Sequence, residues 1–148
     1  MATFEISRTI SAPTELIYRS AHYESSAWDP LGARIQCGFP GETVVVGNRV
    51  KIIAWHGQSM VVEYIQVRVA QRSAMKMIVG PRYLKSFAGT WLLTPRADGN
   101  TDVRWRYQLR AMPRYRFVER FMLIYFAWES RRRLAALAAY CEQRASAL

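Results

Sequence analysis

The chain has 148 residues, the size of one domain and enough to bury a core without a metal or a disulfide. Its two cysteines, Cys37 and Cys141, fit no metal-ligand spacing, and its longest purely apolar runs, 121–128 and 134–141, are eight residues each, against the roughly 20 that a membrane-spanning helix needs. The net charge is +10, with 18 of the 21 basic residues arginine, a balance that suits either an acidic partner or a merely soluble basic surface.

Residues 4–10 place Phe4, Ile6 and Ile10 on one face at period two, a half-buried strand interrupted on that face by Arg8. Pro13 and Glu15 then signal a helix start, and a short helix is predicted over 13–20. A second helical turn is predicted over 23–27, closed by the break at Trp28, Asp29 and Pro30. Strands follow over 33–39 and over 43–55, the latter with a bend at Gly47 and Asn48. After a tight turn at 56–58, further strands are predicted over 59–70, 73–79, 85–94 and 101–112. The turn at 97–100, Ala-Asp-Gly-Asn, is a strong hairpin signal between the last two. From 114 to 144 there is no Gly and no Pro, and the composition favours one long helix. The first half of that helix is apolar almost all round, so it should be covered on most sides. Strands bunched between helices argue for an α+β fold with an antiparallel meander, spanning 1–148 as one domain.

This order of elements, with several local patterns, resembles the START/SRPBCC superfamily, the helix-grip fold of polyketide cyclases and lipid-transfer domains. The residues carrying the resemblance are the opening strand and the Ala12-Pro13 helix start with Leu16, Ile17 and Tyr18, then Trp28-Asp29-Pro30, and finally the hairpin from Phe87 to Pro95 and Asp98 to Trp105. It covers nearly the whole chain. It implies a curved antiparallel sheet of about seven strands around a long C-terminal helix, with two short helices after the first strand and an internal cavity. Fold alone does not select among the superfamily's activities.

Strand alternation nominates the pocket wall. With Arg104, Arg106 and Arg110 facing out, Val103, Trp105, Tyr107 and Leu109 face in. The same logic turns Val50, Ile52, Ala54 and His56 inward, with Val62, Tyr64, Met75 and Met77. Gln66 and Arg68 share the parity of Tyr64, so either a bulge intervenes or they also reach the pocket. The ligand-binding candidates are Trp28 at the rim, Val62, Met75, Met77, Trp91, Val103, Trp105 and Tyr125, with Met60 as a further adaptable thioether. The plainer reading of each one is simply core.

For catalysis the candidates are His56, Tyr64 and Tyr107, as proton-transfer groups in a cyclase- or dehydratase-like reaction. The plainer readings are a turn residue before Gly57 for His56, a position in the short-helix region for His22, and a cap of the turn before Pro30 for Asp29. No nucleophile elbow, His-x-x-x-His, CxxC or phosphate-binding loop is present, so no metal and no cofactor are expected. The arginines divide into a stripe on the outer sheet face, a group at 114, 116 and 120, and the triple 131–133, whose members point about 100° apart on a helix. Without aromatics interleaved on the same face, nucleic acid is disfavoured.

The expected partner is a hydrophobic, aromatic or polycyclic small molecule. The alternative is a non-enzymatic interaction protein docking through its basic face to an acidic partner, nucleic acid or membrane. Peripheral membrane contact and a homodimer through the last helix also fit the excess apolar surface. The opening residues lack a signal-peptide core, and a cytoplasmic location is expected.

Overall fold

The computed structural model describes residues 2–29, 34–37, 45–53 and 57–147. Strand β1 (Ala2–Ile10) leads into helices α1 (Thr14–Tyr23) and α2 (Ser25–Trp28). Strands β2 (Arg34–Cys37), β3 (Arg49–Ile53), β4 (Ser59–Arg68), β5 (Arg72–Val79), β6 (Leu84–Pro95) and β7 (Thr101–Ala111) follow, then a 3₁₀ segment (Pro113–Val118) and helix α3 (Glu119–Ser146). The strands form one seven-stranded antiparallel sheet in the order β1-β7-β6-β5-β4-β3-β2. This is the α+β helix-grip architecture: a curved meander whose last strand is joined at its free edge by the first.

β7 shows why the residues choose this arrangement. Thr101, Val103, Trp105, Tyr107, Leu109 and Ala111 are all buried, while Asp102, Arg104 and Arg106 between them are exposed. That alternation fixes the register on both sides, because a slip of one residue would bury three charges. β1 accordingly pairs Ile6 with Trp105 and Ile10 with Thr101. On the inner face Ile6, Ile10, Ile17, Val103, Trp105, Leu134, Leu137, Ala138 and Cys141 form the main core. α3 packs there chiefly against β1 and α1. A second, smaller cluster of Val50, Val62, Tyr64 and Met75 lies on β3–β5. The space between the two clusters is the site described below.

Several expectations are corrected. The stretch 43–55 is not continuous strand: among its described residues Val46 and Gly47 form a turn, with Gly47 at φ +92°, and pairing begins only at Arg49. Glycine takes that left-handed conformation without steric cost, so it ends extended structure rather than bending it. The last helix is preceded by a 3₁₀ segment, which starts on Pro113 and carries the chain round from β7. Glu119 then ties the join, its carboxylate accepting from the Ala111 backbone N–H at 2.9 Å. The question at Gln66 and Arg68 resolves as a bulge, with a register shift between Tyr64 and Gln66. Finally, the first half of α3 is not covered on most sides: Phe121, Ile124 and Trp128 are 69%, 58% and 44% exposed. No helix among the described residues is long and apolar enough to cross a membrane.

Candidate functional site

Between the sheet and the first half of α3 lies a cavity of about 530 Å³. Its floor is made by the inward residues of the sheet, Val50, Val62, Tyr64, Met75, Trp91 and Tyr107. Its roof is the face of α3 carrying Met122, Tyr125, Phe126, Glu129, Ser130 and Arg133. α1 closes one end with Ala21 and His22. Gln58, Ser59 and Phe121 line the cavity and are also solvent-exposed, which puts the entrance between the start of β4 and the start of α3.

The floor is rigid. Trp91 stacks on Trp105 with ring centroids 4.2 Å apart and planes 12° from parallel. Its indole N–H donates to the Tyr107 hydroxyl at 2.7 Å. Tyr107 is held in turn by Phe4 at 5.3 Å and Phe87 at 5.6 Å between centroids. Gly89 faces it across the β6–β7 pair, and a Cβ there would come within 2.8 Å of the Tyr107 ring. The glycine is therefore the reason the phenol can lie flat on the sheet. Burial pushes the Tyr107 pKa up, against the opposing pull of Arg133. The group stays a protonated phenol whose oxygen is taken by Trp91, leaving its hydrogen for a second partner.

His22 is buried at the α1 end, stacked on Tyr18 at 4.3 Å and edge-on to Trp91 at 5.3 Å. Its Nδ1 lies 3.0 Å from the Tyr18 carbonyl oxygen and its Nε2 3.2 Å from Ser73 Oγ. A carbonyl can only accept, so Nδ1 carries the proton and Nε2 accepts from the serine hydroxyl. Burial lowers the His22 pKa to about 4, outweighing the Tyr18 carbonyl, so the ring is neutral at physiological pH.

The polar end of the roof is formed by two residues one helical turn apart. Arg133 Nε donates to Asp29 Oδ2 at 3.0 Å, with the aspartate side chain wholly buried, and its guanidinium lies 5.9 Å from the Trp28 ring centroid. Glu129 presents a buried carboxylate oxygen, Oε2, with no protein partner among the described residues. A guanidinium donor, a carboxylate acceptor and the Tyr107 phenol thus line a largely apolar chamber.

Of the residues nominated from sequence, Val50, Ile52, Met60, Val62, Tyr64, Met75, Trp91, Tyr107 and Tyr125 are brought together on the cavity wall. Val103 and Trp105 lie behind Trp91 in the core, beside a separate void of only about 10 Å³, room for one water at most. Met77 turns to Gly80, its sulfur filling the space that a Cβ would need there. Trp28 is buried rather than at the rim, its indole N–H donating to the Ser20 carbonyl at 2.8 Å. His56 and Ala54 lie outside the described residues. Asp29 is a buried ion-pair partner of Arg133.

Sequence reasoning passed over Glu129 and Arg133 as site residues. Their spacing of four was readable, but the direction of that helix face was not, because apolar residues surround it on every side. Among the described residues no three His, Cys, Asp or Glu side chains gather as a metal site.

A helix-grip domain with an internal, aromatic-walled cavity is the class that fold and site define. Residues 1–142 match the family model described as polyketide cyclase / dehydrase and lipid transport, and the chain belongs to that family. Among solved structures it is similar to the Zhui aromatase/cyclase from Streptomyces sp. R1128, with a TM-score of 0.77 at 12% identity, covering 97% of this chain and 94% of that one. A protein from Nitrosospira multiformis superposes with a TM-score of 0.69 at 20% identity, covering 95% of this chain and 96% of that one. An uncharacterised protein from Bacillus thuringiensis gives 0.72 at 12% identity, covering 94% and 98%. At these identities the likeness is one of fold. No curated protein matches the sequence.

Proposed function

We propose that this protein encloses one hydrophobic, ring-bearing small molecule between its sheet and α3, with the guest's oxygen substituents at the end formed by Arg133 and Glu129. The observation that carries this reading is the cavity itself, about 530 Å³ of space walled by aromatic rings and thioethers with a few convergent polar groups. That volume is within the roughly 300–1,000 Å³ of small-molecule sites. Trp91 and Tyr107 offer flat faces to a polycycle, and Met60, Met75 and Met122 can adjust to its outline. The family description and the cyclase among the structural neighbours support the same class of guest.

A cyclase- or dehydratase-like step would draw on the same wall. Ring closure requires a flexible chain held in one folded conformation, which a rigid floor provides. Its proton transfers would fall to Tyr107 and Tyr64 on the cavity floor, with Glu129 as the accepting carboxylate.

Titration calorimetry with a trihydroxyanthraquinone tests the reading. The wild-type chain should bind one equivalent. Val62→Phe, which extends a buried floor residue into the chamber, should lose binding at least tenfold while keeping its unfolding midpoint. Equal affinity in the two proteins would contradict the assignment.

A further inference from the structure

The face of α3 turned away from the cavity wall is not covered by any of the described residues. At about 100° per residue, Phe121, Ile124 and Trp128 lie within about 60° of one another, a continuous stripe along two turns. All three are exposed, and Phe117 in the preceding 3₁₀ segment is more so, at 78%. Bulky apolar side chains grouped in this way mark a binding surface rather than scattered surface residues. Exposed arginines stand at both ends of the stripe: Arg120 one turn before Ile124, and Arg131 and Arg132 three and four residues after Trp128. The Arg132 guanidinium sits 5.3 Å from the Trp128 ring centroid, so cation and aromatic are presented together. Arg114 and Arg116 add two more exposed cations next to Phe117.

We propose that this stripe seats the protein on an anionic lipid bilayer. An exposed aromatic and aliphatic ridge bordered by arginines on a chain of net charge +10 is complementary to a surface with an apolar interior and negatively charged headgroups. The apolar side chains enter the headgroup boundary and the guanidinium groups pair with lipid phosphates above it. Phe121 belongs both to this ridge and to the cavity entrance, so docking turns the mouth of the chamber toward the lipid. The docking itself stands on the surface alone and holds whatever guest the chamber takes.

Vesicle co-sedimentation of the full chain tests this. Binding is expected to phosphatidylcholine vesicles containing about one-third phosphatidylglycerol, and to be at least about tenfold weaker with phosphatidylcholine alone. The double variant Phe117→Ser/Ile124→Ser changes only exposed positions outside the cavity lining. It should lower affinity for the anionic vesicles at least about tenfold with an unchanged unfolding midpoint. Arg120→Glu/Arg131→Glu should abolish the preference for anionic lipid. The proposal is overturned if wild-type protein stays in the supernatant when the anionic vesicles are pelleted, or if both double variants bind them like wild type. It is also overturned if light scattering shows a dimer that Phe117→Ser/Ile124→Ser converts to monomer, since a second copy would then cover the stripe.

Discussion

His22 shows how a single residue carries a measurable consequence. Its folded pKa of about 4 lies below the ordinary value of 6.5, because burial disfavours the cation. Between those two values the unfolded chain takes up a proton that the native ring refuses, so stability rises with pH across this window and falls as pH drops from 6.5 toward 4. The full effect is about 3 kcal/mol, at about 1.4 kcal/mol per pH unit. His22→Gln should therefore flatten the acid limb between pH 6.5 and 4 in denaturant titrations, relative to wild type. An unchanged limb would mean that the ring is not buried neutral. The Asp29–Arg133 pair sets a second test at this scale. Asp29→Ala leaves a largely buried guanidinium without its carboxylate and should cost about 3 kcal/mol. Adding Arg133→Met should recover most of that loss, because it removes the stranded charge. Neither role was legible from sequence: His22 lies in α1 and Asp29 just after α2, and their partners on β5 and α3 are 51 and 104 residues away.

Elements were readable where one physical rule dominates. Strict alternation gave β7 its inner and outer faces, and the hairpin turn at 97–100 fixed its register with β6. The start of β3 was misjudged, because a Val-rich run before Gly47 reads as strand while the glycine's positive φ makes it a turn. The 3₁₀ segment was hidden because no Gly or Pro separates residues 114–118 from the good helix formers that follow. The pairing of Gly89 with Tyr107 yields the element-scale prediction. Gly89→Ala would force the Tyr107 ring off the sheet, since Phe4 and Phe87 leave it no lateral freedom. A destabilisation of about 1–3 kcal/mol is expected by chemical denaturation, together with loss of the Trp91–Tyr107 hydrogen bond. A neutral effect would show that the floor is softer than described.

At the scale of the whole molecule, curvature makes the chamber. Register shifts in β4–β5 and near the start of β6 bend the sheet, and α3 crosses its concave face in contact mainly at its second half. The core under that half is filled by Trp105, Leu134 and Leu137, while the first half stands off and leaves the cavity beneath it. The sheet side of the wall could be read largely from strand parity, and Tyr125 from helix composition. Parity states only which face a side chain is on, so Val103 and Trp105 were grouped with the wall although they lie in the filled half.

The methionines report directly on whether the unfilled half receives a guest. Met60, Met75 and Met122 line the cavity, Met77 packs on Gly80, and Met112 is exposed outside the lining. With methyl-labelled methionine, NMR titration with a trihydroxyanthraquinone should shift the signals of Met60, Met75 and Met122 and saturate at one equivalent, leaving Met112 unmoved. Shifts confined to Met112, or none that saturate, would contradict an internal site.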